Sequence, residues 1–97
     1  MVKIEEGHEY DLQHFGDVGG GETILFYKLG ADGKMEHDGT TNEEVLKMLI
    51  DRMHFLQNAF PCQENAVAIM RLEECLMWLN KRTEDRVSRG VEGTHQK

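Results

Sequence analysis

Asn65-Ala66-Val67-Ala68-Ile69-Met70-Arg71-Leu72-Glu73-Glu74-Cys75-Leu76-Met77-Trp78-Leu79 is the stretch whose reading decides the fold. It predicts the middle of a long helix, launched from Phe60-Pro61-Cys62-Gln63-Glu64 and running towards Arg89-Gly90. Ile69, Leu72, Leu76 and Leu79 recur at three- and four-residue steps and make one apolar face. Beside it lies a second set: Val67, Met70 or Arg71, Glu74 and Trp78. A helix that is apolar over more than about 100° of its circumference needs more than one packing partner. In a chain of 97 residues the second partner is expected to be another copy of the chain.

That length predicts one domain, near the lower limit for burying a sufficient core unaided. Oligomerisation is a usual remedy for small cores. No apolar run approaches the ~18 residues of a spanning helix. Met1-Val2-Lys3-Ile4-Glu5-Glu6 also lacks the basic-then-apolar order of a signal peptide. The expectation is a protein that stays in the cytosol where it is made. Cys62 and Cys75, if both helical, lie roughly 20 Å apart at about 1.5 Å per residue, too far for a disulfide. They read as two buried small thiols, with Cys62 alternatively a thiol acidified by a helix start.

Upstream, residues 8–38 carry the strand signals. His8-Glu9-Tyr10-Asp11-Leu12-Gln13-His14-Phe15 alternates, with Tyr10, Leu12 and Phe15 as the inward candidates. Gly16-Asp17-Val18-Gly19-Gly20-Gly21 reads as a loop, and Glu22-Thr23-Ile24-Leu25-Phe26-Tyr27-Lys28-Leu29 as a second strand rich in β-branched and aromatic residues. Asp32-Gly33 has the composition of a tight turn before a weaker third strand over residues 34–38. Thr41 and Glu44 match a capping box, and Val45, Leu46, Met48, Leu49, Met53 and Leu56 follow at helical spacing. A first helix over 41–58 and a second over 61–89 are predicted, broken at Phe60-Pro61, with Pro61 preset for the first turn. Gly90 is the expected stop. The fold class is therefore α+β: a short N-terminal antiparallel β-hairpin or three-stranded sheet, then an antiparallel two-helix hairpin that assembles as an oligomer. Residues 90–97 form a polar tail, for which disorder is the default.

The net charge of −7 argues against a polymeric nucleic acid as partner, because such binding draws on neutralised phosphates. The balance is uneven along the chain. Residues 1–80 hold six basic against fifteen acidic side chains, whereas residues 81–97 hold five against three. A local cationic patch on an acidic body suits a small anion. Lys81, Arg82, Arg86 and Arg89, followed by Gly90, Gly93, Thr94 and His95, offer guanidinium forks, backbone N–H groups and a hydroxyl, the parts of a phosphate or diphosphate site.

Other chemistry finds little support in the spacing. His8, His14, His37, His54 and His95 assemble no local metal-ligand set, and no metal or cofactor is expected. Glu73 and Glu74 point about 100° apart on a helix and make no catalytic pair. Gly19-Gly20-Gly21 precedes a strand rather than the helix N-terminus a phosphate loop requires.

Phe60 through Leu79, and within it the pattern Ala-Ile-x-x-Leu-Glu-Glu-x-x-x-Trp-Leu at Ala68 to Leu79, resembles the helical hairpin domain of phage anti-defence signal sponges. That family includes anti-Thoeris and anti-CBASS proteins. Asp38-Gly39-Thr40-Thr41-Asn42-Glu43-Glu44-Val45-Leu46 and Arg89-Gly90-Val91-Glu92-Gly93-Thr94-His95 also look like segments of phage-encoded members, so the likeness spans residues 38–95. The resemblance implies a non-enzymatic homo-oligomer, often a hexamer, that sequesters a nucleotide immune signal between subunits. The signals are cyclic oligonucleotides or cyclic ADP-ribose-type molecules, and capture takes place in the cytoplasm of the infected bacterial host, with no membrane involved. The shared motif is mostly packing and does not carry over contact residues. The ligand-binding candidates are therefore this reading's own: Arg82, Arg86, Arg89, Gly93, Thr94, His95 and Tyr10, with Trp78 read equally as a second aromatic facing a base and as a core residue. Two rivals remain at this stage. One is a non-enzymatic phage interaction or assembly module on the same helical hairpin, and the other is a hydrolase of the messenger.

Overall fold

The computed structural model describes residues 1–16 and 19–95. Asp17 and Val18 of the expected glycine loop, and Gln96 and Lys97 of the expected tail, lie outside the described residues. The chain divides into two compact units, Met1–Thr41 and Asn42–Lys97.

The first unit is all β. Strands β1 (Val2–Glu5), β2 (Glu9–Gln13) and β3 (Gly21–Leu25) form an antiparallel sheet in that order. The register sets Lys3 opposite Tyr10 and Tyr10 opposite Ile24. β1 lies outside the strands read from the sequence, because four residues are too few to show a period, and pairing with β2 supplies what the sequence does not display. The long strand expected over 22–29 is two strands. β3 ends at Leu25, and β4 (Lys28–Leu29) pairs instead with β5 (Met35–His37) in a separate two-stranded ribbon. The expected turn closes it: Gly33, at φ +79°, donates its N–H to Gly30 O at 2.9 Å.

The break at Phe26-Tyr27 has a visible cause. Phe26 N–H turns to His8 O at 2.7 Å, and Tyr27 N–H donates to Thr40 O at 3.2 Å, while Thr40 N–H returns to Leu25 O at 2.7 Å. The backbone passes so close here that a Cβ on Gly39 would stand 2.5 Å from Leu25 O. Tyr10 packs edge-on against Phe26, with ring centroids 6.0 Å apart. Phe15, expected inward, is fully exposed, because β2 ends at Gln13 and the alternation no longer applies beyond it.

The second unit is a helical hairpin of α1 (Asn42–Ala59) and α2 (Gln63–Ser88). α1 opens after Thr41 with Glu43 and Glu44 in its first turn, where carboxylates complement the helix dipole. α2 starts at Gln63, two residues after Pro61. Cys62 is the N-cap, extended at φ −152°, and its Sγ accepts from Asn65 N–H at 3.4 Å. The corner is held by Gln57, whose amide pairs with both backbone groups of Cys62 at 3.0 Å. Ile69 is buried, and Leu72, Leu76 and Leu79 are half-buried along the same face. One neighbouring helix covers only that stripe. Met48, Phe55, Val67, Met70, Met77 and Trp78 stay more exposed. Cys62 and Cys75, expected to be buried, are both free and exposed, one in the corner and one beyond the covered stripe.

Candidate functional site

The far end of α2 carries the basic residues, and the structure gives each a different use. Arg86 is buried, at 4% exposure, although the sequence sets it one turn from Arg82 on a shared cationic side. It continues the covered row through Leu79 and Thr83 rather than the solvated face. Its Nη2 donates to Val91 O at 2.9 Å and Thr94 O at 2.8 Å, and its Nε lies 3.4 Å from Glu92 Oε2. One guanidinium thus fastens the tail to the helix end. Residues 91–95 form a loop of turns folded back on that guanidinium.

The loop begins with a glycine stop of the expected kind. Gly90 sits at φ +73°, its N–H donating to Val87 O at 3.0 Å, and Val91 N–H reaches Arg86 O at 3.0 Å. This pair of bonds is a Schellman cap, which needs the left-handed conformation glycine adopts without strain. Beyond it, Gly93 N–H donates to Glu92 Oε1 at 3.3 Å and Thr94 N–H to Val91 O at 3.2 Å, and the Thr94 hydroxyl also donates to Val91 O. The backbone donors expected to cradle phosphate are therefore engaged inside the loop. His95 is exposed. Arg89 lies along the helix surface with Nε 3.0 Å from Asp85 Oδ2. Tyr10 belongs to the first unit, half-buried against Phe26.

Arg82 is exposed, as is Lys81. Lys81 Nζ stands 5.0 Å from the centroid of the Trp78 ring, within range of a cation–π contact. Trp78 itself is 55% exposed. The structure therefore brings together Arg86, Gly93 and Thr94 in one knot and Trp78, Lys81 and Arg82 on one solvated helix face. The second grouping was not drawn from the sequence, because only the helix packing shows that Trp78, Lys81 and Arg82 share a side that faces solvent.

A second polar cluster escaped sequence reasoning altogether. In the first unit the Lys28 ammonium pairs with Glu5 and lies 3.2 Å from Glu36 Oε2, while His37 Nε2 is 3.5 Å from Glu5 Oε2. The Lys28 hydrogen bond holds the Glu5 carboxyl below its usual range, and Glu5 in turn raises Lys28. The residues come from three strands of two sheets, so no local spacing announces them. Among the described residues no group of three His, Cys, Asp or Glu side chains is arranged to hold a metal ion.

Comparison with known proteins bears on the helical hairpin most directly. A family model described as the Acb2/Tad1 hairpin domain matches residues 23–84, more than half of the chain. The chain belongs to the Acb2/Tad1 hairpin family. It is also similar to the protein named Thoeris anti-defense 1 of Bacillus phage SBSphiJ7, at 48% identity over 82 residues. That alignment covers 84% of this chain and 58% of the relative, so the chain spans little more than half the relative's length. The Acb2/Tad1 match runs from within β3 through most of α2. It includes Trp78, Lys81 and Arg82 and ends before Arg86, Arg89 and the tail. Among the described residues no helix is long and apolar enough to cross a membrane.

Proposed function

We propose that this chain is a phage anti-defence protein that captures a nucleotide immune signal, a cyclic oligonucleotide or a cyclic ADP-ribose-type molecule, and stores it without degrading it. The observation that carries the reading is membership of the Acb2/Tad1 hairpin family, together with a relative whose name records anti-defence against Thoeris. The concentration of basic side chains at the end of α2 on an otherwise acidic chain supports it, since a small anion is what such a patch attracts. The binding residues proposed from the sequence, Arg82, Arg86, Arg89, Gly93, Thr94, His95 and Tyr10, divide into direct contacts and supports. In this reading Arg82 meets phosphate directly, Arg89 does so by exchanging its Asp85 partner for the ligand, Arg86 sets the loop that carries Gly93, Thr94 and His95, and Tyr10 is the aromatic offered to a base.

The working form is a homo-oligomer in the cytoplasm of the infected host. Its support is the exposed apolar side chains of the hairpin, Met48 and Phe55 on α1 and Val67, Met70 and Met77 on α2, which the packing of the two helices leaves uncovered. The same side chains favour the rival reading of a plain assembly module. Deleting residues 90–97 separates the two: a module keeps its function, and a capture protein with a tail-supported pocket loses its ligand.

Stoichiometric capture requires a nanomolar dissociation constant, about −12 kcal/mol. Native mass spectrometry of protein purified from cells producing the signal reports subunit number and retained ligand together. Recovery of the intact signal after heat release supports storage, and recovery of a cleaved product refutes it. Absence of any retained or titratable nucleotide refutes capture.

A further inference from the structure

We propose that Trp78, Lys81 and Arg82 form a platform for a nucleoside phosphate, the base stacked on the indole and the phosphate oxygens held by the two cations. The inference rests on the capture reading and names the residues that would perform it.

Trp78 is the only tryptophan of the chain and exposes 55% of its surface. Lys81 Nζ already stands 5.0 Å from the ring centroid, covering one face of the indole, and a base then takes the other. Steps of three and four residues set Lys81 and Arg82 beside the ring, one helical turn away.

Charge pairing distinguishes these two cations from the rest of α2. Arg71 lies 3.6 Å from Glu74, Arg86 3.4 Å from Glu92 and Arg89 3.0 Å from Asp85. Among the described residues Lys81 and Arg82 have no carboxylate within 4.0 Å. Of the three acidic residues flanking the platform along the helix, Glu74 and Asp85 are engaged by Arg71 and Arg89, and Glu84 offsets only one of the two cations. The face around the indole is therefore left with net positive charge, on a chain whose total is −7.

An aromatic ring bordered by two uncompensated cations is poorly suited to a dry apolar interface. Burying the cations there without partners carries a large desolvation penalty. A nucleotide meets both demands at once, because base–aromatic stacking and charge-assisted bonds to phosphate are satisfied by one small molecule. A longer nucleic acid would extend over the acidic remainder of the chain and be repelled.

The single tryptophan supplies the test. Full-length protein is titrated with a cyclic dinucleotide, a cyclic trinucleotide and cyclic ADP-ribose, following indole fluorescence and heat in parallel. The expected result is quenching that saturates with the same dissociation constant as the heat. Trp78→Ala should weaken binding by roughly tenfold or more, the range of one lost base stack, and Trp78→Phe should retain most of it. Lys81→Ala and Arg82→Ala should each weaken it by roughly tenfold, as the loss of a charge-assisted bond predicts. If Trp78→Ala fails to fold, the wild-type fluorescence and the two cation variants decide alone. Binding heat without any indole response, and unchanged in Lys81→Ala and Arg82→Ala, overturns the platform and leaves the capture reading standing. No heat from any of the three nucleotides overturns both.

Discussion

Replacing Arg86 with leucine should release the tail without unfolding the helical hairpin. In the native protein the guanidinium makes two bonds, to Val91 O and Thr94 O, and lies near Glu92. Bonds from a charged donor contribute about 1.5–3 kcal/mol each, so the pair supplies roughly 3–6 kcal/mol. Ordering the four residues 91–94 opposes this by about 1 kcal/mol per residue at the low end. Docking of the loop is then favoured by at most about 2 kcal/mol, which caps its amide protection at roughly 30-fold. Leucine removes the bonds and also the penalty of burying a charge, so the hairpin itself should lose little. Lysine keeps the buried charge, but its compact ammonium does not reproduce the fixed fork that spans two carbonyls. Arg86→Lys should therefore be the less stable variant overall, although it is the milder substitution on paper. Hydrogen exchange of peptides covering residues 89–95, read beside thermal melts, checks both parts. Unchanged exchange at Gly93 and Thr94 in Arg86→Leu would show that the guanidinium does not hold the loop.

Gly39→Ala should destabilise the β unit by about 1–3 kcal/mol, the range for forcing a methyl into packed backbone, because its Cβ would fall 2.5 Å from Leu25 O; a denaturant melt followed at the β signal reports it. Gln57→Ala should lower stability by about 1 kcal/mol for each bond lost to the Cys62 backbone, visible as a reduced Tm of the helices. The acid side of the stability profile should depend on Lys28. The Glu5 carboxyl is held below its ordinary value of 4.5 by Lys28, so the unfolded chain binds more protons than the folded one between the two values. That contribution is complete above the ordinary carboxylate range and is lost as pH falls through the lowered value. Lys28→Met should flatten this part of the profile in denaturant titrations between pH 6 and pH 3, and an unaltered acid limb would contradict the pairing.

The two units differed in how far their sequence revealed them. In the helical hairpin each boundary has a local chemical cause. Phe60-Pro61 breaks the chain, Gly90 supplies the left-handed stop, and the three- and four-residue steps of Ile69, Leu72, Leu76 and Leu79 mark the covered face. In the β unit the strand content was legible, but the pairing was not. Lys28 and Leu29 continue the apolar run of β3 in sequence, yet they leave its sheet because Thr40 and His8 take the backbone bonds of Tyr27 and Phe26. Such partners are distant along the chain and leave no periodic trace.

The same division runs through the candidate site. The sequence by itself determined that positive charge gathers after residue 80, that a tryptophan precedes it by one helical turn, and that glycine ends the helix. Only the tertiary structure decided that Arg86 turns inward to hold the tail while Lys81 and Arg82 stay in solvent beside Trp78. All are cations on one helix, and helical spacing alone treats them alike. What separates them is which side of α2 lies against the rest of its unit, and that is set by long-range packing rather than by any residue's neighbours in sequence.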